Sequence, residues 1–359
     1  MKNAPFLNLA LAVVLVLSVG WLLLIGRAIL LPIVMAVISV YIMVSAVEAL
    51  ARQPVLKHLP VFMLRALVLA GFIISFLGLA IVLADTVREI IAVAPVYEAN
   101  LIALLEGIAE RFGLEVQTLW ADMLSATVEQ IDLQAIALGT LGGFASVGFT
   151  VFLVVIYAGF LLAERGRFPQ KLSAALSHEA NTAKALQVVN DINVKIRRYL
   201  AVKTLINLLL GLVSYSILWL FGVDFALFWA VAIALLNYIP YVGSYVGVAF
   251  PVILSLGQFA SLPTTLLLLV LLSSAQVFVG NVLEPRWIGR QLNMSPFVVL
   301  VALSIWSALW GIPGAILAVP MTSILIIVTS SFASTRFVAI LLSDRVDPPL
   351  VSPSEDQSP

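Results

Sequence analysis

Two short stretches gather the residues suited to holding a polar solute inside an apolar chain. Asn237-Tyr238-Ile239-Pro240-Tyr241-Val242-Gly243-Ser244 interrupts residues 225–283, which contain no Asp, Glu, Lys, Arg or His. Gly311-Ile312-Pro313-Gly314 interrupts the equally uncharged residues 291–335. Pro240 removes a backbone donor and frees a carbonyl upstream. Gly243, Gly311 and Gly314 permit unusual dihedrals and close backbone approach. Asn237, Tyr238, Tyr241 and Ser244 add side-chain hydrogen-bonding groups beside that opened backbone. A lipid interior tolerates a broken helix only where protein or a water-filled cavity satisfies the freed N–H and C=O groups. Two such breaks in matching positions point to a pathway for a small solute. The competing reading is that they are turn and helix-packing residues, since Gly and Pro are frequent in membrane helices.

Further polar residues flank the breaks. Gln276 and Asn281 are expected beside the pathway, or as polar glue between helices. Ionisable groups near membrane depth are functional candidates by default. Glu284 and Arg286 are expected to pair with each other, gating the inner mouth or anchoring a turn. Asp224 belongs at the outer mouth or in water. Trp306 and Trp310, one helical turn apart, wall a solute site or fill a core.

The elements that must position these residues are set by composition. Hydrophobic residues make up 62% of the chain and charged residues 11%, against roughly 25% charged in a soluble protein. This is a polytopic all-α membrane protein. Uncharged runs of spanning length cover residues 6–25, 28–47, 66–84, 142–163 and 204–223. Only Gly26-Arg27 separates the first two, so a tight antiparallel hairpin is expected. Basic residues orient the rest. Arg52, Lys57 and Arg65 place the loop after the second span in the cytoplasm, and so do Arg197, Arg198 and Lys203 for residues 164–203. The acidic stretch 85–132, with only Arg88 and Arg111 as bases, lies outside. Its apolar residues recur at helical spacing, with breaks expected at Pro95 and Gly113.

The expected organisation is a three-span region (1–84), an acidic amphipathic outer segment (85–141), a fourth span (142–163) and a basic inner linker (164–203). A transport core (204–335) and a cytoplasmic tail (336–359), disordered at its end, complete it. About eight segments enter the membrane, two of them re-entrant hairpins. The stretch 225–238 is about 21 Å of helix, too short for a core of ~30 Å, and a similar return is expected over 244–256. The two units look related in opposite orientation. Val231-Ala232 and Val301-Ala302 lead to Ile239-Pro240 and Ile312-Pro313, and Pro251 and Pro320 follow.

Several of these stretches resemble a known family. Leu236 to Ser244, the run Gly280-Asn281-Val282-Leu283-Glu284-Pro285-Arg286-Trp287-Ile288-Gly289-Arg290, and Gly311 to Pro320 are similar to signatures of the autoinducer-2 exporter family of transporters. Leu341-Leu342-Ser343-Asp344 is similar to the branch containing the enterobacterial quorum-signal exporter. The chain departs from the family's pattern where Gly280 replaces an acid before Asn281, and where Ser307 follows Trp306. The first departure weakens a coupling scheme that relies on an acid there. The resemblance implies an oligomeric transporter of the bacterial inner membrane, and the placement of the basic residues, Arg336 and Arg345 included, puts both termini in the cytoplasm. Its relatives are linked both to the autoinducer and to sodium–proton exchange.

Other classes fit poorly. His58 and His178 are the only histidines, both in polar stretches, so no His-x-x-x-His metal pair exists. No Walker loop or Gly-x-Ser-x-Gly elbow appears, and no cysteine is available for thiol chemistry. No enzyme activity, metal or cofactor is expected, and zero formal charge speaks against nucleic acid. The expected partners are lipid, a small solute, a coupling proton or sodium ion, and further copies of the chain. Three functions stay open: export of a small polar organic solute such as autoinducer-2, sodium–proton antiport, or a channel or scaffold without alternating access.

Overall fold

The computed structural model describes residues 5–112, 133–176, 179–288 and 293–344. Gly113, His178, Gly289-Arg290 and the tail from Arg345 onward lie outside the described residues. Among the described residues all regular structure is helical, apart from an isolated bridge between Met294 and Ser343.

Helices α1 (Pro5–Ile25) and α2 (Arg27–Ala51) meet at Gly26. They do not pack as the expected antiparallel hairpin. Gly26 N–H donates to the Leu22 carbonyl and the Gly26 carbonyl accepts from Leu30, so helical pitch persists on both sides. One residue is too short to reverse the chain, and Leu11 to Val19 stay exposed rather than covered by α2.

Two helices run through expected boundaries. α3 (Val61–Phe112) continues from an apolar span straight into the acidic segment, past the position 84/85. Pro95 sits inside it and does not end it; a proline removes one intrahelical bond and bends a helix that is held elsewhere. After α4 (Leu133–Glu164) and the short α5 (Phe168–Ala175), α6 (Glu179–Leu220) joins the basic linker and the following span in one rod. The boundary at 203/204 therefore falls in mid-helix.

The remaining elements are α7 (Ala226–Leu236), α8 (Val242–Phe259), α9 (Leu262–Phe278), a π-helical turn (Val279–Leu283), α10 (Glu284–Trp287), α11 (Pro296–Ser330) and α12 (Arg336–Leu342). Six stretches among the described residues are long and apolar enough to cross a membrane: Arg27–Ala51, Val61–Val82, Thr182–Leu220, Val242–Phe259, Leu262–Trp287 and Pro296–Ser330. A seventh arises if Gly148–Glu164 is joined to α5 across a bend of 71°.

α6 is the central post. Its Ile206, Leu210 and Leu218 pack against Ile233 of α7, Val248 of α8, and Leu268 and Leu272 of α9. Beside this core, α2 packs on α4 through the fully buried Ala36 and Ala158. Small residues let helix backbones approach where no hydrophobic effect drives them together. α2 is also clamped to α6 by Tyr41, which donates to Asn193 at 2.8 Å, and by the Glu48–Arg197 ion pair.

Candidate functional site

Both breaks are folded-back turns closed by a glycine. In the first, a Cβ on Gly243 would lie 1.7 Å from the Leu236 carbonyl oxygen. In the second, a Cβ on Gly314 would lie 1.9 Å from the Trp306 carbonyl oxygen. The bond from Trp306 Nε1 to Thr322 Oγ1, 3.1 Å long, confirms that α11 doubles back; sixteen residues of straight helix would hold them about 24 Å apart. Each break also has one positive-φ residue, Tyr241 (φ 60°, ψ −61°) and Gly311 (φ 65°, ψ −143°). Tyr241 centres a strained γ-turn, with Val242 N–H donating to the Pro240 carbonyl at 2.7 Å.

The two turns correspond at their positive-φ residues, Tyr241 and Gly311, and at their closing glycines, Gly243 and Gly314, rather than at the Ile-Pro pairs. The arms are unequal too. α7 is about 16 Å long and α8 about 27 Å, so the first hairpin has one short and one span-length arm rather than two short ones. The tips touch: Ile239 of the first break packs with Leu303, Ala315 and Ala318 of the second.

A buried polar network sits at the first tip. Asn237, 5% exposed, accepts from Gln276 Nε2 and donates to Asn207 Oδ1, both at 2.8 Å. Its Nδ2 also reaches Glu284 Oε1 at 3.5 Å. Glu284 forms an ion pair with Lys203, itself 5% exposed. Tyr238 shares a 2.7 Å hydrogen bond with Thr204 of α6. Gln276 and Glu284 stand eight residues apart, which in an ideal helix rotates them by about 80°. The π turn between them absorbs one residue, so both face Asn237. Such π-bulges recur at functional sites.

The expected Glu284–Arg286 pair does not form. Arg286 is exposed on the far side of the four-residue α10, whereas Glu284 faces α6 and takes Lys203. Asn281 is exposed as well, turned out by the π turn, and is not part of the network. Tyr241 is exposed, Pro240 and Ser244 half-buried, and Gly243 buried. At the second break Gly311 is exposed, Pro313 half-buried and Gly314 buried. Trp306 and Trp310 have ring centroids 5.3 Å apart. Trp310 is buried against Ile196, Tyr199 and Leu200 of α6, and its Nε1 donates to the Leu23 carbonyl freed at the α1–α2 junction.

Asp224 lies elsewhere, in an anchor for α3. Tyr97 donates to Asp224 Oδ2 at 2.5 Å, and Asn100 donates to the Gly257 carbonyl at 2.9 Å. Gln258 bridges the Asp224 N–H and the Gly222 carbonyl. Burial first, then the Asp224 hydrogen bond, pushes the Tyr97 phenol well above its usual range, so it remains a donor at ordinary pH. Tyr97→Phe is expected to cost about 1.5 kcal/mol, the lower end for a hydrogen bond to a charged acceptor, because the pair is only partly buried. Faster hydrogen exchange along residues 88–112, with the rest unchanged, is the readout.

Lys203 and Asn207 escaped the sequence reading. Lys203 ends a run of basic residues and was counted toward orientation, while Asn207 stood in an apolar span. Their signal was the spacing Tyr199, Lys203, Asn207, every fourth residue on one helix face, in register with the buried Ile196, Ile206 and Leu210.

The profile of the AI-2E family of transporters matches residues 9–333. The AI-2 transport protein TqsA of Escherichia coli is 28% identical over 321 residues, covering 88% of this chain and 90% of its own. YhhT of the same organism, provisionally named a transport protein, is 30% identical over 280 residues, 77% of this chain and 78% of its own. A provisionally named transport protein of Borreliella burgdorferi is 37% identical over 199 residues, 55% of each chain.

Proposed function

The chain belongs to the AI-2E family of transporters, and from that premise we propose that it is a secondary transporter exporting a small polar organic solute such as autoinducer-2. One observation carries the reading: a hydrogen-bonded polar cluster, with one ion pair, buried at a helix break inside an otherwise apolar core. Buried polar groups are tolerated where function needs them, because each must be satisfied or neutralised. In this reading the two hairpins are re-entrant and inverted, and their touching tips separate the two sides of the membrane. Residues 204–335 form the transport core, with the N-terminal spans as its frame. Asn237, Gln276, Asn207 and the Lys203–Glu284 pair meet the solute, while Trp306 and Trp310 back the second tip. The protein sits in the bacterial inner membrane as a homo-oligomer with both termini cytoplasmic.

The name of TqsA is what supports autoinducer-2 as the solute. A second reading, sodium–proton antiport, gains support from Glu284, a carboxylate drawn into the core. The Lys203 ammonium already fills the cation's place there, which favours the solute.

Asn237→Ala removes a partner from both Gln276 and Asn207. It is expected to slow autoinducer-2 efflux from proteoliposomes about tenfold or more, since an unpaired buried group costs about 1–3 kcal/mol. Assembly in detergent should be unchanged. Wild-type sodium-driven proton flux without solute efflux would replace this reading with the antiporter. Normal efflux by Asn237→Ala would remove the network from the pathway.

A further inference from the structure

The amide network at the first break has a direction. Gln276 donates to Asn237, and Asn237 donates to Asn207. The relay ends in two groups without a partner among the described residues, both on buried side chains: Asn207 Nδ2, a donor, and Gln276 Oε1, an acceptor. Glu284 fixes this direction. An ionised carboxylate only accepts, so Asn237 must turn its NH2 toward Glu284 and Asn207, and its carbonyl toward Gln276. Lys203 forms an ion pair with the same carboxylate oxygen.

A proton on Glu284 changes the demand. The carboxylic acid has an O–H to donate, and the matching face of Asn237 is then its carbonyl. Rotating the Asn237 amide by half a turn forces Asn207 and Gln276 to rotate with it. Asn207 then ends the relay with an acceptor and Gln276 with a donor. We propose that Asn207 and Gln276 are the solute-contacting ends of this relay, and that protonation of Glu284 reverses it, exchanging the groups presented to the solute. With Glu284 ionised, the free ends suit a neutral hydroxylated carbonyl compound, its carbonyl on Asn207 and its hydroxyl on Gln276. A carbonyl has no proton to offer the reversed Asn207, so the solute is released when the proton arrives. This deepens the exporter reading and rests on it, and it makes the proton the coupling ion.

Other ionisable groups stand near Glu284. From α6 these are Lys203 and Tyr199, which lies within electrostatic range of Glu284 and of Tyr238 at the hairpin tip. On its own helix Arg286 points away and is exposed.

Two readouts test the relay in the purified full-length protein. Infrared difference spectra on acidification should show a carboxylic acid carbonyl band appearing together with shifted side-chain amide bands. One component of the acid band should be missing in Lys203→Met/Glu284→Gln, where no charge is left unpaired and the chain's other carboxylates still contribute, and the amide shift should vanish in Asn237→Leu. An acid band with unmoved amides, or no acid band at all, overturns the proposal. In proteoliposomes with autoinducer-2 as the probe, wild type should move protons in exchange for the solute. The double variant's proton-to-solute ratio should fall at least tenfold; an unchanged ratio overturns the proposal. An intact amide shift without any autoinducer-2 flux supports the relay and rejects this solute.

Discussion

Gly243→Ala is expected to destroy the first break, and Gly314→Ala the second. A methyl group on Gly243 would stand 1.7 Å from the Leu236 carbonyl oxygen, and on Gly314 1.9 Å from that of Trp306. Neither contact can relax by turning a side chain, because the obstacle is backbone. The carbonyl belongs to the last turn of the preceding arm, so relief requires the two arms to separate. That would pull Asn237 from between Asn207 and Gln276, and Ile239 from Leu303 and Ala315. The cost should reach about 3 kcal/mol, the top of the range for overpacking a filled interior. Thermal unfolding of each variant in detergent measures it. Gly280→Ala is the control, because a Cβ there meets nothing within 4 Å. Gly243→Ala unfolding at the wild-type temperature would mean that the hairpin does not close as described.

How much of this was legible in the sequence depends on which physical rule was being read. Long uncharged runs declare membrane helices because charge is costly in lipid, and the helices duly follow them. Asn237 and Gln276 were legible as polar groups stranded among apolar ones. Lys203 was not, because a lysine at the end of the basic run of residues 195–203 follows the same statistics as one in water. Only the length of α6, which carries Lys203 past the end of the linker and into the core, separates the two cases. The Glu284–Arg286 pairing failed for a related reason. Neighbours two apart on a helix point in different directions, and the π turn then decides which of them faces inward. The continuity of α3 through Pro95 is hidden as well, since what holds that helix beyond its span is the docking of Tyr97 on Asp224 and of Asn100 on the end of α8. Sequence periodicity contains no such tertiary contact.

Glu284→Ala is expected to cost about 3–5 kcal/mol, more than any other single side-chain truncation in the network. The reason is what it leaves behind. Lys203 has a side chain only 6% exposed and would have either to hold its charge with no carboxylate beside it or to give up the proton, and both cost more than a missing surface pair. Glu284 itself is 27% exposed, so water reaching its place should hold the loss toward the lower end of that range. The double variant Lys203→Met/Glu284→Ala should regain most of the loss, because an apolar side chain of similar length replaces the stranded ammonium. A coupling of about 2 kcal/mol or more between the two substitutions is expected from a double-mutant cycle of thermal unfolding. Arg286→Ala should stay within about 0.5 kcal/mol of wild type, as an exposed residue outside the network. Additive effects of Lys203 and Glu284, or a larger loss in Arg286→Ala than in Glu284→Ala, would return the pairing to the one expected from the sequence. If the coupling holds, each charge is tolerated in the core because the other is there, and neither side chain can be read apart from its partner.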